Sequence, residues 1–330
     1  MKPILFLFLH FCAIAVCAQD TKTEFYRRVY IDGRQHQIRL WDTVDIATTC
    51  KTNCYRVEFD KQDRIKTISY QKLGRWDMDE NGFSFVKIMY SDSIEKRIYN
   101  FPKRYKQMYK DSSLISVRRV ELILNKDKIP IALTNYNAAG NPTKDRSGVI
   151  TYRIFLDENN RTIKCHFLDE HGLRTANNND DYSIKFNWKQ DENHYIPETS
   201  YYNQNDELHG GKSGYSIIQR WFDKKEERLC KVRFLNSSLQ PVACEAGYAE
   251  IRLTYRKDGL LRTLSYYDVN GKPINVELDR DKNKYCRIEL DYNQFGNITS
   301  RKCYKANEKK CSVEYKYIYD LDQNLIERKF

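Results

Sequence analysis

Asp77-Met-Asp79-Glu-Asn81-Gly82 places three oxygen-bearing side chains on alternate positions ahead of a glycine. That is the first half of a calcium loop, where alternate oxygens wrap a hard cation and the glycine permits the sharp bend. The twelfth position, where such a loop closes with a bidentate Glu, is Ile88. Calcium at Asp77, Asp79 and Asn81 is the one cofactor expectation the residues raise, beside the ordinary use of Asp and Asn in turns. Asp279-Arg-Asp281-Lys-Asn283 and Asp320-Leu-Asp322-Gln-Asn324 echo the spacing without the glycine.

Cysteine spacing suggests a second chemistry. Cross-strand partners in an antiparallel pair have residue numbers of constant sum, and facing positions bring Cα atoms into disulfide range. A turn at Asn236-Ser237-Ser238 would set Cys230 opposite Cys244, and a turn at Asn293–Gly296 would set Cys286 opposite Cys303. A turn at Ala306–Glu308 would instead pair Cys303 with Cys311, so only one of the last two bridges is able to form. Cys50-x3-Cys54 has no His or Cys close by to complete a zinc tetrahedron. Gly211-Lys212-Ser213 matches the end of a phosphate loop, but Asp206 stands where the first glycine belongs, which favours a Gly-rich turn. His166, His171, His194 and His209 sit at or near turns, and the chain has no His-Glu-x-x-His or Gly-x-Ser-x-Gly motif. No catalytic residue is assigned. Two sequons, Asn236-Ser-Ser238 and Asn297-Ile-Thr299, matter only in a eukaryotic secretory pathway.

The N-terminus addresses the chain for export. Lys2 precedes an apolar run from Pro3 to Ala15, and Val16-Cys17-Ala18 fits a signal-peptidase site, so residues 1–18 read as a leader too short to span a bilayer. Lipidation at Cys17 is disfavoured by Val16, where a small residue belongs. Loss of Lys2 takes the formal charge from +11 to +10 (11 − 1). Lys and Arg are interleaved with Asp and Glu, a pattern of solvated surface more than of a nucleic-acid site. With 25 Tyr and 15 Phe the chain has aromatic area to bury, which excludes wholesale disorder.

Those residues must be positioned by a repeat of about 32–37 residues. First turns fall at Lys128, Asn160, His194, Glu227, Gly259 and Gly296. Second turns follow twelve residues later at Gly140, Gly172, Asp206, Leu239, Gly271 and Glu308. Three residues before the second turns stand Asn137, Asp169, Asn203, Asn236, Asp268 and Lys305, and five of these six suit a side chain that bonds back to its own turn. Between the turns, Leu133, Cys165, Val232 and Leu264 share one position, and Phe167, Tyr201, Phe234 and Tyr266 lie two further on. Residues two apart on a strand share a face, so these form one apolar stripe. Thr199, Arg301, Asn135 and Cys303 depart from it. No single unit buries its stripe alone, so the units must stack.

The expected fold is all-β: an antiparallel meander of repeated β-hairpins forming an extended twisted sheet or an open solenoid-like array. Residues 19–113 form a less regular β region and 114–330 the hairpin repeats. Within the former, Asp32-Gly33 predicts a two-residue hairpin between Phe25–Ile31 and Arg34–Trp41. Further hairpins are expected around Asp60–Arg64 and between Phe83–Tyr90 and Ile94–Phe101, with a linker or short helix at Pro102–Ser113. Longer loops are expected at Asn177–Asp181 and His209–Gly214.

Tyr317-Ile-Tyr-Asp320 with Leu325 resembles the Tyr-Asp motif of RHS-type (YD) repeats, and Tyr266-Tyr-Asp-Val-Asn-Gly-Lys-Pro273 is similar to the turn segment of related exported bacterial hairpin repeats. The resemblance covers roughly Leu114 to Phe330. It implies a β-shell or extended sheet that encloses, carries or presents something else. The functional expectation is an exported, non-enzymatic binding or scaffold protein of the cell envelope. Its partner would be a protein or glycan, and the chain has no transmembrane segment once the leader is removed. An envelope hydrolase with a site in the N-terminal region and a basic module for anionic polymers are the alternatives.

Overall fold

The computed structural model describes residues 22–31, 38–79, 84–100, 117–277, 283–321, 323 and 325–329, the side chains of Cys50 and Lys51 excepted. Its strands are β1 (Thr23–Ile31), β2 (Ile38–Thr43), β3 (Asn53–Phe59), β4 (Ile65–Lys72), β5 (Arg75–Trp76), β6 (Phe85–Tyr90) and β7 (Ile94–Asn100). They continue with β8 (Arg119–Leu124), β9 (Pro130–Tyr136), β10 (Thr151–Leu156), β11 (Thr162–Leu168), β12 (Ser183–Gln190) and β13 (His194–Tyr202). Next come β14 (Ile217–Asp223), β15 (Leu229–Leu235), β16 (Glu250–Tyr255) and β17 (Leu261–Tyr267). The last are β18 (Val276–Glu277), β19 (Lys284–Tyr285), β20 (Arg287–Tyr292), β21 (Ile298–Tyr304), β22 (Val313–Tyr319) and β23 (Leu325–Lys329).

All but the β18–β19 ribbon join one antiparallel sheet of 21 strands. It is a meander that is not closed into a barrel: among the described residues β2 pairs only with β1 at one edge, and β23 only with β22 at the other. The sheet continues through the pairing of β7 with β8, so the linker at Pro102–Ser113, which lies outside the described residues, does not interrupt it.

Turn chemistry fixes the register. Lys128, Asn160, Glu227, Gly259 and Gly296 all take positive φ at the first turns, and Gly140, Gly172, Asp206, Leu239 and Gly271 do so at the second. The β12–β13 turn is shorter, closing at Asp191–His194, and the last second turn places Asn307, not Glu308, at positive φ. The Asn137, Asp169, Asn203, Asn236 and Asp268 side chains each accept the backbone N–H groups two and four residues on. The chain then returns: Pro142, Arg174, Leu208, Pro241 and Pro273 bridge back to Tyr136, Leu168, Tyr202, Leu235 and Tyr267. Further tight turns follow, such as Asp145–Val149 and Cys244–Tyr248, before the next strand. The second connection is therefore a double turn.

That double turn returns a side chain to the core. Val149, Tyr215, Tyr248 and Tyr285 all lie just before the strand that follows it or at its approach, and all are buried or half-buried. On the inner face they interleave with the predicted stripe: the rings run Tyr201–Tyr215–Phe234–Tyr248–Tyr266 at centroid spacings of 5.9, 4.8, 5.8 and 4.9 Å. Such tilted and edge-on contacts suit the ring quadrupoles. Burial pushes the Tyr266 hydroxyl up to about 12. Asn135 and Thr199, the polar departures, are also buried; Asn135 donates to the Val149 carbonyl (3.2 Å) and Thr199 accepts from Arg220 (3.1 Å).

The neighbouring tyrosines serve the outer face. Arg119, Lys185, Arg252 and Arg287 lie over Tyr136, Tyr202, Tyr267 and Tyr304 at 4.0–4.2 Å. Carboxylates thread between the cations, as where Arg233 and Arg252 both hold Glu250. Tyrosines at the first-turn end have another task. The hydroxyls of Tyr90, Tyr255, Tyr292 and Tyr319 donate to the carbonyls of Ile65, Leu229, Leu261 and Ile298, each at the start of an adjacent strand. The Tyr of Tyr319-Asp320 thus ties hairpin to hairpin.

Four predicted registers are corrected. Ile31 faces Ile38, not Arg34, a register that the predicted two-residue turn at Asp32-Gly33 does not fit; residues 32–37 lie outside the described residues. In the observed register Val29, Ile31, Ile38 and Leu40 pack against the cluster of Val57, Ile68 and Val86. Cys230 does not face Cys244, because Leu235 bridges to Pro241 and Cys244 falls in the second half of the double turn. The β20–β21 turn closes at Asn293–Asn297, one residue longer than expected, and a bulge between Asp291 and Tyr292 adds a second residue, so Cys303 faces Ile288, not Cys286. On its other side Cys303 faces Val313, not Cys311. Cys230, Cys244, Cys286 and Cys311 are free thiols.

Candidate ligand-binding cleft

The β1–β2 hairpin has two unlike faces. One carries the apolar residues that pack on β3, β4 and β6. The other carries two cross-strand pairs, Arg28 opposite Trp41 and Tyr30 opposite Arg39. Strand alternation alone sorts them so. This second face looks across a cavity of about 550 Å³ toward Phe186 of β12, Pro197 and Thr199 of β13, and Arg220 and Phe222 of β14. The floor is the inner face of β7–β10, with Arg97, Tyr99, Val120, Leu133 and Tyr152. An adjoining space of about 620 Å³ shares Arg39, Trp41, Pro197 and Phe222 and adds Arg161, Trp188, Lys189 and Tyr195.

The curvature of the meander brings the hairpin over this space, and a polar latch holds it there. Asp42 takes φ 57°, in the left-handed region that Asp and Asn enter more readily than other non-Gly residues. Its carboxylate accepts from Arg28 Nε (2.7 Å) and from Arg228 Nη2 (3.1 Å), which lies 186 residues along the chain. Trp41 Nε1 donates to Glu227 (3.0 Å). The Arg28 guanidinium lies 5.4 Å from the Trp41 ring centre and 5.7 Å from that of Tyr255. The first turn of β16–β17 approaches so closely that a Cβ on Gly259 would fall 2.4 Å from Asp42 Oδ2. Farther along, Asn53 receives the same support from the β20–β21 turn: its N–H donates to Phe295 O (3.1 Å) and its amide to Asn297 (2.8 Å).

Four arginines line the main cavity, Arg28, Arg39, Arg97 and Arg220, against two carboxylates, Asp145 and Glu227. Both carboxylates are engaged. Asp145 accepts from the Tyr152 hydroxyl (2.6 Å) and from the backbone of Ser147 and Val149, and Glu227 accepts from Trp41. Arg97 is buried beside Glu95 at 2.6 Å. The arrangement offers donors and aromatic faces, a chemistry of binding.

The residues singled out in the sequence lie elsewhere. Asp79 accepts from the Tyr55 hydroxyl (2.5 Å), Asp77 accepts from Met78 N (2.7 Å), and Asn81 lies outside the described residues. Among the described residues no group of three or more His, Cys, Asp or Glu could hold a metal ion. Cys54 is fully buried, and burial pushes its thiol up to about 11. Gly211-Lys212-Ser213 docks on the preceding double turn: Ser213 N donates to Asn179 Oδ1 (2.6 Å), and Lys212 reaches Asp180 (3.2 Å). Sequence reasoning missed the cleft, although Tyr30, Arg39 and Trp41 alternate with apolar residues on the same two strands.

No family model matches the chain, and no curated protein matches it significantly. Among solved structures it is similar to a chain of the Photorhabdus luminescens Tc holotoxin pore (8% identity, TM-score 0.21, 84% of this chain and 18% of that one). It is likewise similar to a chain in the TcdB2-TccC3-Cdc42 structure (8% identity, TM-score 0.22, 85% of this chain and 18% of that one). A third likeness is to a Vibrio parahaemolyticus domain described as an outer membrane lipoprotein-sorting protein (10% identity, TM-score 0.19, 76% and 78% covered). The chain thus spans about a fifth of the toxin chains, and these weak likenesses define no shared site. No helix among the described residues is long and apolar enough to cross a membrane.

Proposed function

We propose that this is an exported, non-enzymatic binding protein of the cell envelope whose ligand sits in the cleft between the β1–β2 hairpin and the inner face of β12–β14. The observation that carries the reading is the lining of that cleft: guanidinium groups and aromatic rings face one another across an open space. Volumes of this order, in which apolar and aromatic walls alternate with placed polar groups, suit small-molecule or oligomer-end binding. The paired outer-face charges count against a general polyanion surface, because Glu250, Glu198 and Glu289 already neutralise their basic neighbours. Against the hydrolase reading, the two carboxylates of the cleft, Asp145 and Glu227, are already held by internal donors and do not face each other as an acid–base pair would.

Trp41 and Trp188 lie in the cleft and report on its occupancy. Titrating purified protein with envelope glycan fragments and with amphiphiles should quench or shift the tryptophan emission and raise the melting temperature. Phe222→Ala should weaken both responses. Emission and melting that stay unchanged across the panel would remove the cleft as a binding site.

A further inference from the structure

We propose that the ligand is an anionic amphiphile, a single carboxylate or phosphate head on an apolar acyl or aryl body, with Arg220 and Arg28 receiving the head. This rests on the reading of the cleft as the binding site and names its ligand class.

The head group follows from where donors outnumber acceptors. Arg220 lines the cavity and donates to the Thr199 hydroxyl (3.1 Å); among the described residues no carboxylate forms an ion pair with it. Arg28 spends Nε on Asp42, while its Nη2 is buried without an acceptor. A buried donor left unpaired carries a desolvation penalty that an anionic oxygen relieves. The planar guanidinium fork fits both carboxylate and phosphate, and charge-assisted hydrogen bonds are the strong ones. The cavity's own carboxylates, Asp145 and Glu227, are turned to internal donors and do not compete for those arginines.

The body follows from the rest of the wall. Val120, Leu133, Phe186 and Phe222 present hydrocarbon with few polar atoms, and Trp41 adds a broad ring face. A polyhydroxylated ligand would leave hydroxyls unpaired against those walls, whereas an acyl or aryl body gains from the same burial. The +10 surface of the mature chain would add long-range attraction to an anion but does not choose among anions.

The test uses displacement of the fluorescent anion 8-anilinonaphthalene-1-sulfonate from the full protein by decanoate, decyl phosphate and decanol. These share a chain and differ in the head. In the wild type the two acids should displace the probe at concentrations at least about tenfold below decanol, as expected for a charge-assisted contact. The stronger acid identifies the head. Arg220→Met should abolish that preference while leaving decanol unchanged, and Arg220→Lys should restore part of it. Circular dichroism checks that each variant is folded, and Arg28→Met is the second variant should Arg220→Met fail to fold. Equal displacement by decanol and the acids, or a preference that survives both Met variants, would overturn the anionic assignment while leaving the cleft as a binding site. Failure of the probe and all three competitors to bind would overturn the amphiphile assignment, and only with an equally flat glycan titration would it remove the cleft itself.

Discussion

The two edges of the sheet solve the same problem differently. At the first-turn edge, a hairpin closes with an Asx side chain and the chain re-enters the sheet at once; Asp157, for example, caps Asn159 N and Arg161 N (2.9 and 2.8 Å). At the second-turn edge an equivalent cap is followed by a return and another turn. The first edge shapes the local register, and where it is covered, at Glu227, Gly259 and Phe295, it is the N-terminal strands that dock on it. The second feeds rings such as Tyr215 and Tyr248 between the rings of the strands. Turn chemistry alone specifies a hairpin; a turn that also delivers a core residue specifies how hairpins stack.

If that contrast is right, mutational cost should be steepest at the second edge. Tyr248→Ala removes a ring from between Phe234 and Tyr266, and we expect a loss of roughly 3 kcal/mol in chemical denaturation. A loss below about 1 kcal/mol would place the stacking energy elsewhere. Glycine substitutions sharpen the point within one edge. Gly211 has φ 51°, and a Cβ there would lie 2.3 Å from Asn179 O, so Gly211→Ala should cost roughly 2–3 kcal/mol. Gly140 has φ 86° with open space around it, and Gly140→Ala should cost only the backbone strain, about 1 kcal/mol. Equal melting shifts for the two would mean that the docking of neighbouring double turns contributes nothing. At the first edge, Asp157→Ala should cost about 1 kcal/mol, the worth of a lost cap.

The smallest effect is a pH dependence. His166 on β11 lies against Phe155 (4.9 Å) with Nε2 buried and unbonded. Burial, helped by the nearby Lys164 and Arg174 charges, lowers it to about 4 from the usual 6.5. The unfolded chain therefore binds this proton first, and stability conferred by neutral His166 is present above pH 6.5 and lost as pH falls toward 4. Denaturant midpoints at pH 7.5 and 4.5 should draw apart less in His166→Gln than in the wild type; identical pH slopes would discount the residue.

Much of the sheet was legible because turns and alternation are local. Glycine or Asn at a left-handed position and an Asx side chain three residues earlier act over five residues of chain, so Asn137 with Gly140 and Asp268 with Gly271 announce themselves. The stripe of Phe167, Tyr201, Phe234 and Tyr266 follows from the two-residue period. The disulfide registers failed because a longer turn at Asn293–Asn297, a one-residue bulge at Tyr292 and the return at Pro241 change the pairing sum without a strong residue signature. The cleft was hidden for a different reason. Its walls come from residues near 28–41 and 186–229, and only the accumulated curvature of the strands between them brings the two together.

Asp42 and Arg228 also bear on the order in which the molecule assembles. Each hairpin can zip onto its predecessor over a short stretch of chain, a cheap step in loop entropy. The contact between residues 186 apart closes only after the intervening ribbons are in place. A small molecule seated beneath it would engage finished molecules and ignore partly assembled ones, so by mass action it would stabilise the whole chain and serve as a marker of maturation.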